Sequence, residues 1–187
     1  PDTLAAKAKR HDVPLTYTDY HELLANPDID GVSICVPNNM HAPIAIDALK
    51  AGKHVMLEKP MAMSTAEGEA ICAARDAADK VLQMGMVRRQ SADAEIVKKA
   101  IDDGKLGEIY QIRIRLIRRR GIPGMGGWFT TKAESGGGGL IDIGVHFFDL
   151  AMWALLHATR QNLRFSIPPG LRRPGSSASD SGRQRVP

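Results

Sequence analysis

The sequence predicts an α/β protein: an incomplete doubly wound parallel sheet, followed by the start of a second, α+β domain. Three observations predict it. Short apolar runs at 30–36, 54–58 and 81–86 alternate with stretches of helical periodicity, at the pitch of right-handed βαβ crossovers. The run at 30–36 is almost continuously apolar, as expected of a parallel strand covered on both faces, and 54–58 and 81–86 read as further short buried strands. Beyond residue 105 the pattern changes to one long alternating strand and an apolar helix. Residues 1–105 are therefore read as one domain, 106–156 as the start of another, and 157–187 as a tail.

Residues 3–11 have helical periodicity, and 13–18 the β-rich alternation of a short strand. Asp19 is placed to cap a short helix over 20–25. Pro37 ends the first apolar run. Ile44, Ala45, Ala48 and Leu49 fall at helical spacing in 41–51, and Gly52 stands where a helix-terminating glycine belongs. Ser64-Thr65-Ala66-Glu67 is a capping box that opens an Ala-rich helix to residue 80. A helix over 92–103 stops at Gly104. In 108–118, Tyr110, Ile112, Ile114 and Leu116 face one way while Gln111, Arg113 and Arg115 face the other, which predicts a strand in a sheet with one wetter face. A glycine-rich connection over 121–139 leads to a helix over 140–156 that is apolar nearly all round.

At 187 residues, 43% apolar and 25% charged, the chain is globular in composition. Its formal charge of +4 comes from the tail, where six Arg and no Lys stand against the single acid Asp180. Residues 1–156 net −1, so nothing in the body calls for a nucleic acid or an anionic membrane as partner. Cys35 and Cys72 lie in different predicted elements with no metal or redox spacing, which favours reduced thiols and a cytoplasmic protein. No signal peptide opens the chain, and no uninterrupted apolar run reaches membrane-span length. Because the sequence opens on Pro1 instead of Met, the true start is expected upstream. The tail carries four Pro, three Gly and five Ser in 31 residues. It is read as disordered or as out-of-frame translation, the second agreeing better with the abrupt loss of Lys and of periodicity.

Three places can carry chemistry. Val36-Pro37-Asn38-Asn39-Met40-His41 lies at the C-terminal end of a parallel strand, the edge where open α/β sheets bind ligands; taken alone it reads as a turn in which Asn38 or Asn39 caps the next helix. Glu58-Lys59-Pro60 lies at the same edge one strand further on. A lysine directed into a partly dry cleft can donate to, and lower the pKa of, a bound hydroxyl, whereas in solvent the pair is an ordinary strand end. On the last helix Asp142, His146 and Asp149 fall at i, i+4 and i+7 among Leu, Ile, Val, Phe, Met and Trp, a polar stripe that must meet partners or a ligand. Asp142 one turn before His146 is placed to hold the imidazole and favour its charged form, as a general base requires, or merely to complement the helix N-terminus. Two ligands are too few to argue a metal, and none is expected. The glycine runs at 124–127 and 136–139 do not fit G-x-G-x-x-G and read as connection.

Together these segments resemble the glucose-fructose oxidoreductase, inositol dehydrogenase and rhizopine catabolism family (Gfo/Idh/MocA) over residues 1–156. The resemblance rests on Pro37-Asn38-Asn39-Met40-His41 with Ala51-Gly52-Lys53-His54-Val55, on Glu58-Lys59-Pro60, and on Gly138-Gly139-Leu140-Ile141-Asp142-Ile143-Gly144-Val145-His146, in order. It implies a Rossmann domain that binds NAD or NADP, a second domain with a large open sheet, and a sugar, cyclitol or polyol substrate between them. By the same resemblance Lys59 binds and polarises the substrate hydroxyl, Asp142 and His146 form the acid/base pair, and Pro37, Asn38, His41, Glu58 and Lys59 line the cofactor. Arg88, with Arg89 beside it, follows the last Rossmann strand into the cleft and is placed to meet substrate. Complete members form homo-oligomers. The G-x-G-x-x-G turn and the first two strands that open such a domain are missing here, so the chain is expected to be a truncated, inactive piece of an enzyme. The competing class is a non-catalytic remnant or a nucleotide- or sugar-binding module.

Overall fold

The three apolar runs become the three strands of one parallel sheet in a computed structural model that describes residues 2–117 and 127–155. Helix α1 (Asp2–Arg10) and helix α2 (Tyr20–Ala25) precede strand β1 (Gly31–Ile34). Helix α3 (His41–Lys50) leads to β2 (His54–Leu57), and helix α4 (Thr65–Ala78) to β3 (Leu82–Met84). The sheet order is β1-β2-β3, with Gly31 opposite His54 and Val55 opposite Leu82. After it come helix α5 (Ala92–Asp102), the short helix α6 (Lys132–Ser135), a π-helical turn over Leu140–Gly144 and helix α7 (Val145–Leu155).

Local signals set the helix ends. The Asp19 carboxylate accepts from His21 N–H at 2.9 Å, and Ser64 Oγ accepts from Glu67 N–H at 3.3 Å. Glu67 reaches back one residue beyond the cap, accepting from Met63 N–H at 2.8 Å. Gly52, just past α3, takes a left-handed φ of 76°, a conformation that a Cβ disfavours.

The core lies between the sheet and α3 with α4: Ile34, Val55 and Leu57 meet Ala45, Ala48, Leu49 and Ile71, all buried. The strands are covered on one face only. Val55 and Leu57 are buried while Met56, between them, is 47% exposed. The expectation of strands covered on both faces is corrected by topology. Right-handed crossovers that run in one direction across a sheet place their helices on the same side, and β1-α3-β2-α4-β3 never reverses. Leu57, central in the sheet and 0% exposed, makes the scale of this core testable. Leu57→Ala is expected to lower unfolding free energy by about 2–5 kcal/mol, read from urea denaturation.

Two predicted strands are not strands. Residues 13–18 are irregular and mostly exposed, and 108–117 form no regular element and no ladder, Tyr110 being 93% exposed. An alternating pattern makes a strand only beside a partner, and among the described residues neither segment has one. Arg118, the glycines at 124 and 126 and the expected tail at 157–187 lie outside the described residues. The part of the glycine-rich connection that is described contains two helical turns, Trp128–Thr130 and α6, instead of bare linker.

The stretch 132–155 is, with a mean hydropathy of 1.3, apolar and long enough to cross a membrane by composition alone, the one such stretch among the described residues. Two of its carboxylates, Asp142 and Asp149, pair with cations from the ends of β2 and β3. Those pairings tie it to the sheet.

Candidate active site

Parallel strands bring their C-terminal ends to one edge, so Val36-Pro37, Glu58-Lys59 and Met86-Val87-Arg88 become neighbours although they are far apart in sequence. Against that edge lie the π-turn and the first turn of α7. Between them is a cleft of about 440 Å³, lined by Lys59, Val87, Arg88, Ser91, Phe129, Asp142, Ile143, His146 and Phe147. That volume is in the range of small-molecule sites, about 300–1,000 Å³.

Lys59 and Asp142 meet here from 83 positions apart. The Lys59 ammonium donates to the Asp142 carboxylate at 2.9 Å and to the Asp142 backbone carbonyl at 2.8 Å. An ammonium has three N–H donors, so one remains for the cleft. This corrects the expected partnership of Asp142 with His146. In the π-turn the helix is wound wider than 3.6 residues per turn, so residues four apart no longer stack, and an ammonium holds a carboxylate more strongly than a neutral imidazole does.

His146 lines the same cleft without that carboxylate. Its Nδ1 is the one buried side-chain polar atom lacking a hydrogen bond among the described residues. Buried polar atoms are normally paired, and an exception at a cleft points to function. Burial pushes the ring below its ordinary pKa of 6.5, the positive charges of Lys59 and Arg88 push it further, and Glu58 and Asp142 oppose them. The ring is therefore neutral at neutral pH, able to take a proton. Asp142 does favour the charged form, as expected, but burial and the charges of Lys59 and Arg88 outweigh it.

A titration checks this balance. By NMR, the His146 ring is expected to titrate below 6.5, and Lys59→Met is expected to move the midpoint upward by removing the charge that opposes its protonation most. A wild-type midpoint at or above 6.5 would contradict the site as described. The sign for stability follows: just below 6.5 the unfolded ring binds a proton that the folded ring refuses, so this group lowers stability as pH falls into that window.

The third member of the polar stripe, Asp149, pairs with Arg89, whose Nε donates to Oδ2 at 2.7 Å and whose Nη2 donates to Oδ1. This ties the turn after β3 to α7. Arg89 is thus committed to protein, while Arg88 stands on the cleft wall with its guanidinium 5.7 Å from the centre of the Phe147 ring.

The loop after β1 differs most from its expected role. Asn38 is buried and its side-chain amide donates to the Ser135 carbonyl at 2.8 Å, joining the sheet edge to α6. His41 is 1% exposed with both ring nitrogens on backbone carbonyls, of Pro60 at 2.6 Å and Val36 at 3.0 Å. His41 thus has both ring nitrogens engaged, whereas Asn38 commits its amide nitrogen only. They hold the walls; Pro37 and Glu58, half-buried at the strand ends, remain as lining. The Glu58 carboxylate lies over Gly85 so closely that a Cβ there would stand 3.1 Å from its Oε1. A side chain at 85 would press the Glu58 carboxylate aside by a few tenths of an ångström.

Phe129, Phe147 and Ser91 belong to the cleft and were not singled out by sequence. Phe129 carried a signal in Trp128-Phe129, an aromatic pair set between glycine runs. Phe147 and Ser91 carried none, since one follows an apolar helical pattern and the other stands at an ordinary helix start. Among the described residues no three His, Cys, Asp or Glu side chains are grouped to hold a metal ion.

Comparison with known proteins places these features in context. Residues 1–86 match the family model described as oxidoreductase family, NAD-binding Rossmann fold, and residues 95–166 match the GFO/IDH/MocA C-terminal domain. The chain is 39% identical over 150 residues to D-glucoside 3-dehydrogenase of Escherichia coli (strain K12), which covers 80% of this chain and 42% of that protein. It is 30% identical over 172 residues to 1,5-anhydro-D-fructose reductase of Ensifer adhaerens, covering 91% of this chain and 51% of that one. Among solved structures it resembles levoglucosan dehydrogenase in complex with NADH and levoglucosan, with a TM-score of 0.72, 29% identity and coverage of 82% and 42%. An NAD-binding protein from Listeria innocua gives a TM-score of 0.73 at 34% identity, with the same coverage. The chain thus spans about two fifths to one half of these relatives' lengths.

Proposed function

The chain belongs to the GFO/IDH/MocA oxidoreductase family, with an NAD-binding Rossmann domain, and from that premise we propose that its protein transfers a hydride between a nicotinamide nucleotide and a carbinol carbon of a sugar, cyclitol or polyol. The observation that carries the reading is the pairing of Lys59 with Asp142 in a cleft that also holds a neutral, unpartnered His146.

The residues present fit a nicotinamide at the strand ends. Pro37, Glu58 and Lys59 would hold its ribose side, the Gly85 approach keeping Glu58 in place. When bound, the nicotinamide supplies the hydride acceptor or donor. The chain's own residues do the rest. The free N–H of Lys59 donates to the substrate hydroxyl oxygen and stabilises negative charge developing there, and Asp142 orients the ammonium. His146 takes the hydroxyl proton as the carbon gives up its hydride, and returns it in the reverse direction. Val87, Phe129, Ile143 and Phe147 exclude water, which strengthens both interactions. The named substrates of the relatives, glucosides, levoglucosan and anhydrofructose, support a polyhydroxy substrate with no charged group.

The test is to give the full-length protein NAD or NADP with a panel of sugars, cyclitols and polyols and to follow the reduced nicotinamide. Turnover with at least one of them is expected. Silence across the panel with both nucleotides would favour a binding module with the family fold.

A further inference from the structure

We propose that His41 is a positioning residue for Lys59: a buried imidazole that pins the turn carrying that lysine to the end of β1. The proposal rests on the functional reading only for what Lys59 is for; the pinning stands on geometry. Between β1 and β2 the last backbone hydrogen bond is Glu58 N–H to the Ile34 carbonyl, at 3.1 Å. Beyond it the two chains part, and the carbonyls of Val36 and Pro60 have lost the ladder. The His41 ring fills this gap, with Nδ1 2.6 Å from the Pro60 oxygen and Nε2 3.0 Å from the Val36 oxygen.

An apolar side chain of similar size would fill the space and leave the carbonyl that receives the ring's N–H without a donor. Both partners are oxygens that only accept and a neutral ring carries one N–H, so one of the two carbonyls receives it; the pinning requires that proton on Nδ1, which faces the Pro60 oxygen at 2.6 Å. Pro60 directly follows Lys59. Its carbonyl is therefore the nearest fixed point from which the Lys59 side chain sets out toward Asp142, and its other tether is the Lys59 N–H to Glu58 Oε2 contact at 3.2 Å. His41 itself is placed firmly, since it begins α3 and is buried with Ala42, Ile44 and Ala45.

The readout is the His146 titration midpoint, which senses where the Lys59 charge stands and does not require turnover. Asn reproduces the Nδ1 donor and Gln reaches only the Nε2 position. His41→Asn is expected to keep the wild-type midpoint, and His41→Gln and His41→Leu to move it upward, toward the value in Lys59→Met, with circular dichroism confirming that each variant is folded. A folded Gln or Leu variant with the wild-type midpoint overturns the proposal. Should both of those unfold, long-range ¹H–¹⁵N spectra of the unaltered chain decide it: a protonated His41 Nδ1 coupled across the bond to the Pro60 carbonyl carbon supports the pinning, and an unprotonated Nδ1 refutes it. If Lys59→Met leaves turnover intact, the functional reading fails while these spectra still judge His41.

Discussion

His146→Ala is expected to lower turnover of the full-length protein by about a hundred- to ten-thousand-fold while barely changing its affinity for nicotinamide nucleotide. The proton that His146 handles moves only as the carbon–hydrogen bond breaks, so the interaction exists in the transition state and not in the nucleotide complex. The ring suits this role because burial and Lys59 keep it neutral and its Nδ1 is uncommitted. The check is single-turnover kinetics beside nucleotide titration. A variant that loses nucleotide affinity and turnover together would show that His146 is packing, and near-normal turnover would return it to a structural role.

Lys59→Met is expected to lower turnover by about a hundred- to a thousand-fold, the usual effect of removing one donor aimed at developing oxyanion charge. It does two things at once. The substrate oxygen loses its donor, and Asp142, whose partner it was at 2.9 Å, becomes an unpaired carboxylate in a partly buried cleft. Adding Asp142→Asn to Lys59→Met should therefore cost little more, because the two act as a unit, whereas independent residues would multiply. A double-mutant cycle on kcat/KM measures this coupling. Additive losses would mean that Asp142 has a separate task.

The sequence made the strand ends legible, because an apolar run closed by Pro37 or by Glu58-Lys59-Pro60 needs no knowledge of distant residues. The caps at Asp19 and Ser64 were legible for the same reason: a cap is a contact within one turn. Who pairs with whom was not. Asp142 finds Lys59 and Asp149 finds Arg89 across 83 and 60 positions, and only the fold sets those distances. Asp142 and His146 read as neighbours on an α-helix, since nothing in Leu140-Ile141-Asp142 announces a π-turn. His41 read as cofactor lining, while its burial follows from where α3 starts. The segments 13–18 and 108–117 failed as strands because alternation records a preference for a face, and pairing needs a second segment.

The order of the sheet also governs how this core assembles. In β1-β2-β3 every strand lies beside the one completed just before it, through a single helix. Each pairing closes a short loop, so the entropy lost at every step is small and no strand waits for a distant partner. On a ribosome, β2 can dock as soon as α3 has emerged, and β3 after α4. The cleft comes last. Lys59 leaves the tunnel long before Asp142, so its ammonium meets solvent first and is claimed by its carboxylate only when α7 folds back over the strand ends.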